Sequence, residues 1–472
     1  MRVLNDITPS QQQRRIISDY KPGYTLIRGA AGSGKTTTAV LRLRQLAGVW
    51  RRQRIRGGND EPTRVLVLTY NRTLRGYIAQ LVDEQVRDLS GVDLTLDTFG
   101  HWAWTLIGRP DILSEPERQG VLWRFGANLG LSRDFLLDEV EYVLSRFLPE
   151  NLHLYATPEQ ATYRRRGRGQ TPQMQQSTRS RLLDEVVLPY ASWKEEQGEL
   201  DWNDVALRLR ATPTEHPYDV VIVDEAQDFS ANQLRALDCQ LAEQHSTTFV
   251  LDALQQIYPR GFTWQEIGIE IPTRNIYRLD ANFRNTREVA AFARPLVEDL
   301  DVSDDGTLPD FESTVRSGPK PLVIQGSFSH QMDYLVEHLA QLPAGESVAL
   351  LHPKGGGWFD YTRQRLGQAG LPFVELTRRA EWPEGGEDIA LSTLHSAKGL
   401  EFDHVVLLGL NTELMPHGAE DNDTQLENHR RLVAMAIGRA RKSTMLSFRP
   451  DVASSVIDYL DDDTFDTVDV GS

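Results

Sequence analysis

The sequence predicts an α/β protein of two parallel-sheet domains, the first interrupted by a mainly helical insertion. Short apolar strands alternate with helical periods on both sides of that insertion. A glycine-rich turn separates the first strand from a long helix, and residues 104–214 carry helical periods where further strands would otherwise recur.

A glutamine-rich helical segment precedes a strand at Tyr24 to Arg28, the glycine-rich turn, and a helix carrying Leu41, Leu43 and Leu46. A second strand, Arg64 to Thr69, leads into a helical stretch from Thr73 to Leu89, the alternation of a mostly parallel sheet covered on both faces. The insertion shows helical periods in VLWRFGANLGL and DEVEYVLSRFL. Between them and the next strand lies an Arg-rich, Gln-rich turn region, Arg164 to Gln176, read as a solvated loop or as a contact to a phosphate backbone. Strands resume at Tyr218 to Val223, and Thr248 to Leu251 is expected to close the first sheet. A second α/β unit is expected from residue 276, with strands at Lys320 to Gln325, Ser347 to Leu351, Phe373 to Leu376, Asp388 to Thr393 and Val405 to Leu410. The expected organisation is a first domain in two parts, 1–103 and 215–275, a helical accessory domain at 104–214, a second domain at 276–457, and an acidic tail at 458–472.

A chain of 472 residues exceeds one ordinary core, and 40% hydrophobic with 25% charged residues suits globular folding. No apolar run is long enough to span a bilayer, and the start MRVLNDITPSQQQRR lacks the apolar core of a secretory signal. The single cysteine, Cys239, excludes an internal disulfide and a cysteine-rich metal site; it is expected half-buried on a helix, and the whole points to the cytoplasm. The net charge of −16 excludes a broad basic nucleic-acid surface and leaves open a narrow, locally positive channel. Asp458, Asp461, Asp462, Asp463, Asp466 and Asp469 crowd the end, which reads as a disordered, solvated tail or a docking segment for a basic partner.

The strongest chemical signal is Gly29, Ala30, Ala31, Gly32, Ser33, Gly34, Lys35 and Thr36, placed after a strand and before a helix. Small residues let backbone N–H groups curl around phosphate oxygens at a helix N-terminus. Lys35 is then positioned for β and γ phosphates and the Thr36 hydroxyl for Mg²⁺. In VVIVDEAQDFS the apolar strand delivers Asp224 to the sheet's C-terminal edge as outer partner of Mg²⁺, with Glu225 beside it to orient or activate an attacking water.

DEAQD resembles the second motif of the UvrD/Rep-like superfamily 1 DNA helicases, and further segments follow in that family's order. The resemblance implies two RecA-like P-loop domains with ATP and Mg²⁺ between them. TPSQQQRRII is similar to the segment whose glutamine reads adenine, assigned to Gln11, with Gln12 fitting nearly as well. VLVLTYNRTL and LDTFGHWAW resemble strand-contacting segments and imply Thr69, Asn71, Thr98 and His101 as nucleic-acid contacts. LDALQQIYPRGFTW resembles the third motif, implying Gln255 at the γ phosphate with Asp252 in support. Its base-stacking aromatic is assigned to Phe262 or Trp264, with domain-interface packing as the alternative.

RLDANFRNT implies Arg284 at the γ phosphate and Phe283 stacked on adenine, whose other face falls to Thr37 where the family often has a basic residue. STLHSAKGLEFDHVVLLG implies His395 and Lys398 as strand contacts and Glu401 at the ribose. RRLVAMAIGRARKSTMLSF implies Arg439 beside the transferring phosphate.

The activity so implied is ATP-dependent translocation along, or unwinding from, single-stranded DNA in the 3′ to 5′ direction. The alternative is an ATP-gated clamp or partner-dependent remodelling module with little autonomous unwinding. Large family members insert an accessory domain after the strand resembling GLPFVEL; here Glu375 is followed by a short Pro-rich and Gly-rich stretch with Trp382 and Pro383 before the strand near Ile389. That stretch is too short for a domain, since even marginal ones need more than about 40 residues. A protein partner is expected in its place or at the acidic tail.

Overall fold

The computed structural model describes residues 9–29, 32–70, 72–86, 89–157, 174–251, 262–279, 285–300, 316–377, 383, 385–418 and 424–471. The assignments to Ala30, Ala31, Asn71, Asp252, Gln255, Phe283 and Arg284, and the run Arg164 to Arg168, lie outside these residues.

The first sheet is six-stranded and parallel, in the order β3-β2-β4-β5-β1-β6. Its strands are β1 (Gly23–Gly29), β2 (Thr63–Thr69), β3 (Val92–Thr98), β4 (Tyr218–Val223), β5 (Leu241–Leu251) and β6 (Ile276–Leu279). Central β4 is buried along its whole length, which is why YDVVIV is almost uninterrupted in apolar character. β3 was not expected, because VDLTLDT alternates polar residues along an edge position. β6 hydrogen-bonds to β1, so the first sheet closes at Leu279 rather than at β5, and the second unit begins beyond it. Four residues are too few to announce their sheet.

Helices Glu115–Gly126, Arg133–Arg146, Gln176–Leu182 and Leu188–Gln197 form the insertion, around a core that includes Leu122, Leu136, Val143, Leu182 and Tyr190. A π-helical turn, Leu183–Val187, precedes Pro189, whose ring nitrogen cannot close the usual backbone bond. The insertion is fastened to the first domain by polar contacts: Asn232 donates to the carbonyls of Leu144 and Phe147, both at 2.9 Å, and Arg146 pairs with Glu266 at 2.7 Å.

The second sheet runs β13-β7-β12-β11-β8-β10-β9, also parallel. Its strands are β7 (Leu322–Gln325), β8 (Val348–His352), β9 (Phe373–Glu375), β10 (Ile389–Thr393), β11 (Phe402–Leu407), β12 (Ala440–Phe448) and β13 (Asp466–Asp469). β13 corrects the expectation of a disordered tail. It pairs with edge strand β7, flanked by bonds from Asp466 N to Pro321 O at 2.9 Å and from Val470 N to Gln325 O at 2.8 Å. Val468 and Val470 turn partly inward while Asp466 and Asp469 stay exposed, so the acidic side chains sit on a solvated edge. Cys239 is a second correction: it caps the helix Ala231–Asp238 at its C-terminus and is exposed.

The two sheets meet through a continuous core in which Leu74 and Ile78 of the first lie with Leu394, Ala397 and Leu400 of the second. A Cβ at Gly399 (φ +83°) would fall 2.5 Å from Leu74, so this approach requires glycine. The architecture is two RecA-like α/β domains with parallel sheets and a helical insertion in the first. Among the described residues no helix is long and apolar enough to cross a membrane.

Candidate nucleotide site and strand interface

β1 ends at Gly29 and the helix Lys35–Arg56 begins six residues later, its N-cap Gly34 in the left-handed region (φ 76°). The Lys35 ammonium donates to the Gly29 carbonyl at 2.7 Å, spanning the loop it closes. The Thr36 hydroxyl lies 3.0 and 3.2 Å from the Asp224 carboxylate oxygens. A phosphate loop and an acidic strand end, far apart in sequence, thus share one point.

Asp224 follows buried β4, and burial together with neighbouring Glu225 raises its pKa to about 7. Glu225 is one of two described non-glycine residues with positive φ (52°), a backbone strain located at the site itself. Burial pushes Glu225 up, but Lys398, Arg439 and Lys35 outweigh it and hold its carboxyl below the usual range. Two of those three cations come from the second domain. Lys398 is buried, 2.6 Å from Asp228 and 4.0 Å from Glu225.

Arg439 is buried at the head of β12, and its backbone carbonyl accepts from Phe402 N at 3.0 Å. Asn285 brackets it by donating to the carbonyls of Gly438 (3.1 Å) and Ala440 (2.5 Å). That positioning role leaves no local signal in the sequence, because Asn285 acts on backbone carbonyls far along the chain.

The residues present fit a nucleoside triphosphate with a divalent cation. Among the described residues Ser33 carries a buried hydroxyl without a protein partner, and a Cβ at Gly29 would fall 2.6 Å from both that oxygen and the Leu279 carbonyl, so the position of Gly29 leaves no room for a side chain. A hydroxyl beside a carboxylate is the oxygen-donor set that Mg²⁺ prefers. Gly32 is buried, while Thr37 is half-buried on the first helical turn.

Of the three glutamines, the structure turns Gln13 toward the loop. Gln11 and Gln12 are exposed, whereas Gln13 is buried, with Nε2 donating to Ser33 O at 3.4 Å and Oε1 accepting from Ser10 N at 2.8 Å. The signal was available: Ser10 and Gln13 form a capping box, which fixes the face of the helix.

The strand candidates are spread along the C-terminal edges of both sheets. Thr69 ends β2 and is buried; Thr98 ends β3 and caps the helix Phe99–Leu106; His101 is exposed, with Nδ1 2.5 Å from Asp97. His395 follows β10 at the surface, crowded by enough protein, with Lys398 nearby, to lower its pKa. Glu401, half-buried, immediately precedes β11. Two assignments acquire other surroundings. Lys398 is committed to Asp228 in the buried junction, and Trp264 packs on Phe249 (centroids 4.6 Å) and Phe262 (5.9 Å) within the first domain rather than at a domain interface.

Residues 9–265 match the family described as UvrD/REP helicase N-terminal domain, and residues 374–450 the UvrD-like helicase C-terminal domain. The ATP-dependent DNA helicase Rep of Salmonella typhimurium is 35% identical over 68 residues, 14% of this chain and 10% of its own. UvrD2 of Mycobacterium tuberculosis is 24% identical over 350 residues, 52% of this chain and 49% of its own. UvrD1 of Mycobacterium bovis is 45% identical over 80 residues, 16% of this chain and 10% of its own. The chain thus spans half or less of the length of these curated relatives. With the first family covering more than half of the chain and the second falling on the other sheet, the protein belongs to the UvrD/Rep helicase family.

Proposed function

We propose that the chain is an ATP-driven motor on single-stranded DNA, moving 3′ to 5′. The observation that carries this is Glu225, which stands on the first sheet with its carboxylate 4.0 Å from the buried ammonium of Lys398 on the second. A base so placed is complete only while the two domains are together, which couples hydrolysis to their relative motion. Lys35 would hold the β and γ phosphates, Thr36 and Asp224 the Mg²⁺, and Gln13, rather than Gln11 or Gln12, the adenine edge; Glu401 would meet the ribose. The cation, when bound, supplies charge stabilisation at the phosphoryl oxygens. Arg439 adds positive charge from the second domain, as Arg284 would, and Gln255 and Phe283 complete the nucleotide contacts by family resemblance. Thr69, Asn71, Thr98, His101 and His395 would follow the strand along the two sheet edges.

A second reading, partner-dependent remodelling with little autonomous unwinding, is favoured by one feature. β9 ends at Glu375 and β10 begins at Ile389, and so short a connection supports the reading that no accessory domain is inserted there, since even marginal domains need more than about 40 residues. A protein partner would then supply what that domain contributes.

ATP hydrolysis measured with single-stranded DNA, with single-stranded RNA and without nucleic acid separates these readings, followed by strand displacement on duplexes with 3′ or 5′ tails. Stimulation by single-stranded DNA with displacement from the 3′ tail is expected of the motor. Stimulation without displacement points to the partner-dependent form, and no stimulation by any single strand contradicts both.

A further inference from the structure

Trp358 stands beyond the C-terminal end of β8 with 48% of its surface exposed. β8 ends at His352, and the chain turns through Gly355, Gly356 and Gly357 to lay the indole over that histidine, with ring centroids 5.6 Å apart and planes 21° from parallel. The turn is held by specific bonds. His352 Nδ1 accepts backbone N–H from Lys354 at 3.1 Å and from Gly355 at 3.0 Å, and Arg363 donates to the Gly356 carbonyl at 3.3 Å. Gly355 has φ +62°, and a Cβ there would fall 2.7 Å from the Thr393 methyl, so the loop lies close against the end of β10.

That location is informative. His352 is the register partner of Thr393, two residues before His395, so the indole and the second domain's strand candidate share one sheet edge. Lys354, in the same turn, is exposed. An aromatic ring backed by a second ring, open to solvent and beside a cation, suits a nucleobase and its adjoining phosphate. The aromatics expected to stack on bases, Phe262 and Trp264, are half-buried against the first domain's core, so Trp358 is the more open ring.

We propose that Trp358 is a base-stacking platform on the second domain, receiving one base of the single strand with Lys354 beside its phosphate. The proposal rests on the strand-binding reading above. It adds a contact that grips through the base face, independent of sequence, to contacts that act through the backbone.

The test is fluorescence anisotropy of a labelled oligothymidylate and of the same oligonucleotide carrying a run of abasic sites, at one fixed salt concentration. Wild type, Trp358→Ala and Trp358→Phe are compared as full chains. Trp358→Ala is expected to weaken oligothymidylate binding roughly 5- to 100-fold, while Trp358→Phe keeps most of the affinity. Abasic sites are expected to weaken the wild type and to cost Trp358→Ala little more. Wild-type affinity in Trp358→Ala overturns the proposal and turns the exposed ring toward a protein partner. Equal losses on thymidylate and abasic strands also overturn it, since the ring would then act only through the loop. A wild type that binds neither oligonucleotide contradicts the strand-binding reading as well.

Discussion

The ammonium of Lys398 lies 2.6 Å from the carboxylate of Asp228, and both groups are buried where the two sheets meet. A buried pair of this kind binds two elements without adding much net stability, but removing one partner strands the other's charge. Lys398→Met is expected to destabilise the chain by about 3 to 5 kcal/mol, and joining it with Asp228→Leu to restore much of that loss. Urea unfolding of the single and double variants checks this; equal losses in both would show that the pairing is not what matters.

Gln13 is the buried glutamine, locked between Ser10 and the phosphate loop, and a Cβ at Gly34 would meet its amide nitrogen at 2.5 Å. Gln13→Ala is expected to raise the KM for ATP about tenfold, the effect of losing roughly 1.4 kcal/mol of binding, and to erode preference over GTP. Gln11→Ala and Gln12→Ala, on the exposed face, are expected to change neither. Steady-state kinetics with both nucleotides decides; a larger defect in Gln11→Ala would return the assignment to that residue.

His352 offers a pH test. Burial, then the nearby Lys354, lowers its pKa from 6.5 to about 4. The unfolded chain therefore binds a proton that the folded chain refuses between those values, so its contribution to stability is full above the ordinary value and declines as pH falls toward 4. The loss is about 3 kcal/mol at most. His352→Asn keeps an acceptor for the Lys354 and Gly355 amides without titrating there. Unfolding midpoints measured at pH 7, 6 and 5 should fall less steeply in that variant, and parallel profiles would contradict the account.

What could be read in the sequence followed from how strongly chemistry constrains it. The Gly29 to Thr36 loop and the Asp224 strand end were legible because phosphate binding demands small residues and a buried strand demands apolar ones. β3, β6 and β13 were not, since VDLTLDT, IYRL and DTVD are edge or short strands whose pairing depends on neighbours that arrive from elsewhere in the chain. The glutamine register turned on a capping box rather than on spacing to the loop. Asn285 and Asp228 act through contacts to residues far along the chain, Gly438 and Ala440 for the one and Lys398 for the other, and single segments carry little trace of them.

The proposed nucleotide site is shared by two domains and answers to a single strand. Its most direct test is the single-stranded DNA-stimulated ATPase of Arg439→Ala, with fluorescent-nucleotide binding measured alongside to show that the site is folded. Arg439 belongs to the second domain, yet its charge reaches Glu225 on the first. Stimulated turnover is expected to fall roughly 10³-fold or more while nucleotide binding persists. Near wild-type stimulated turnover would mean that the second domain does not complete the site.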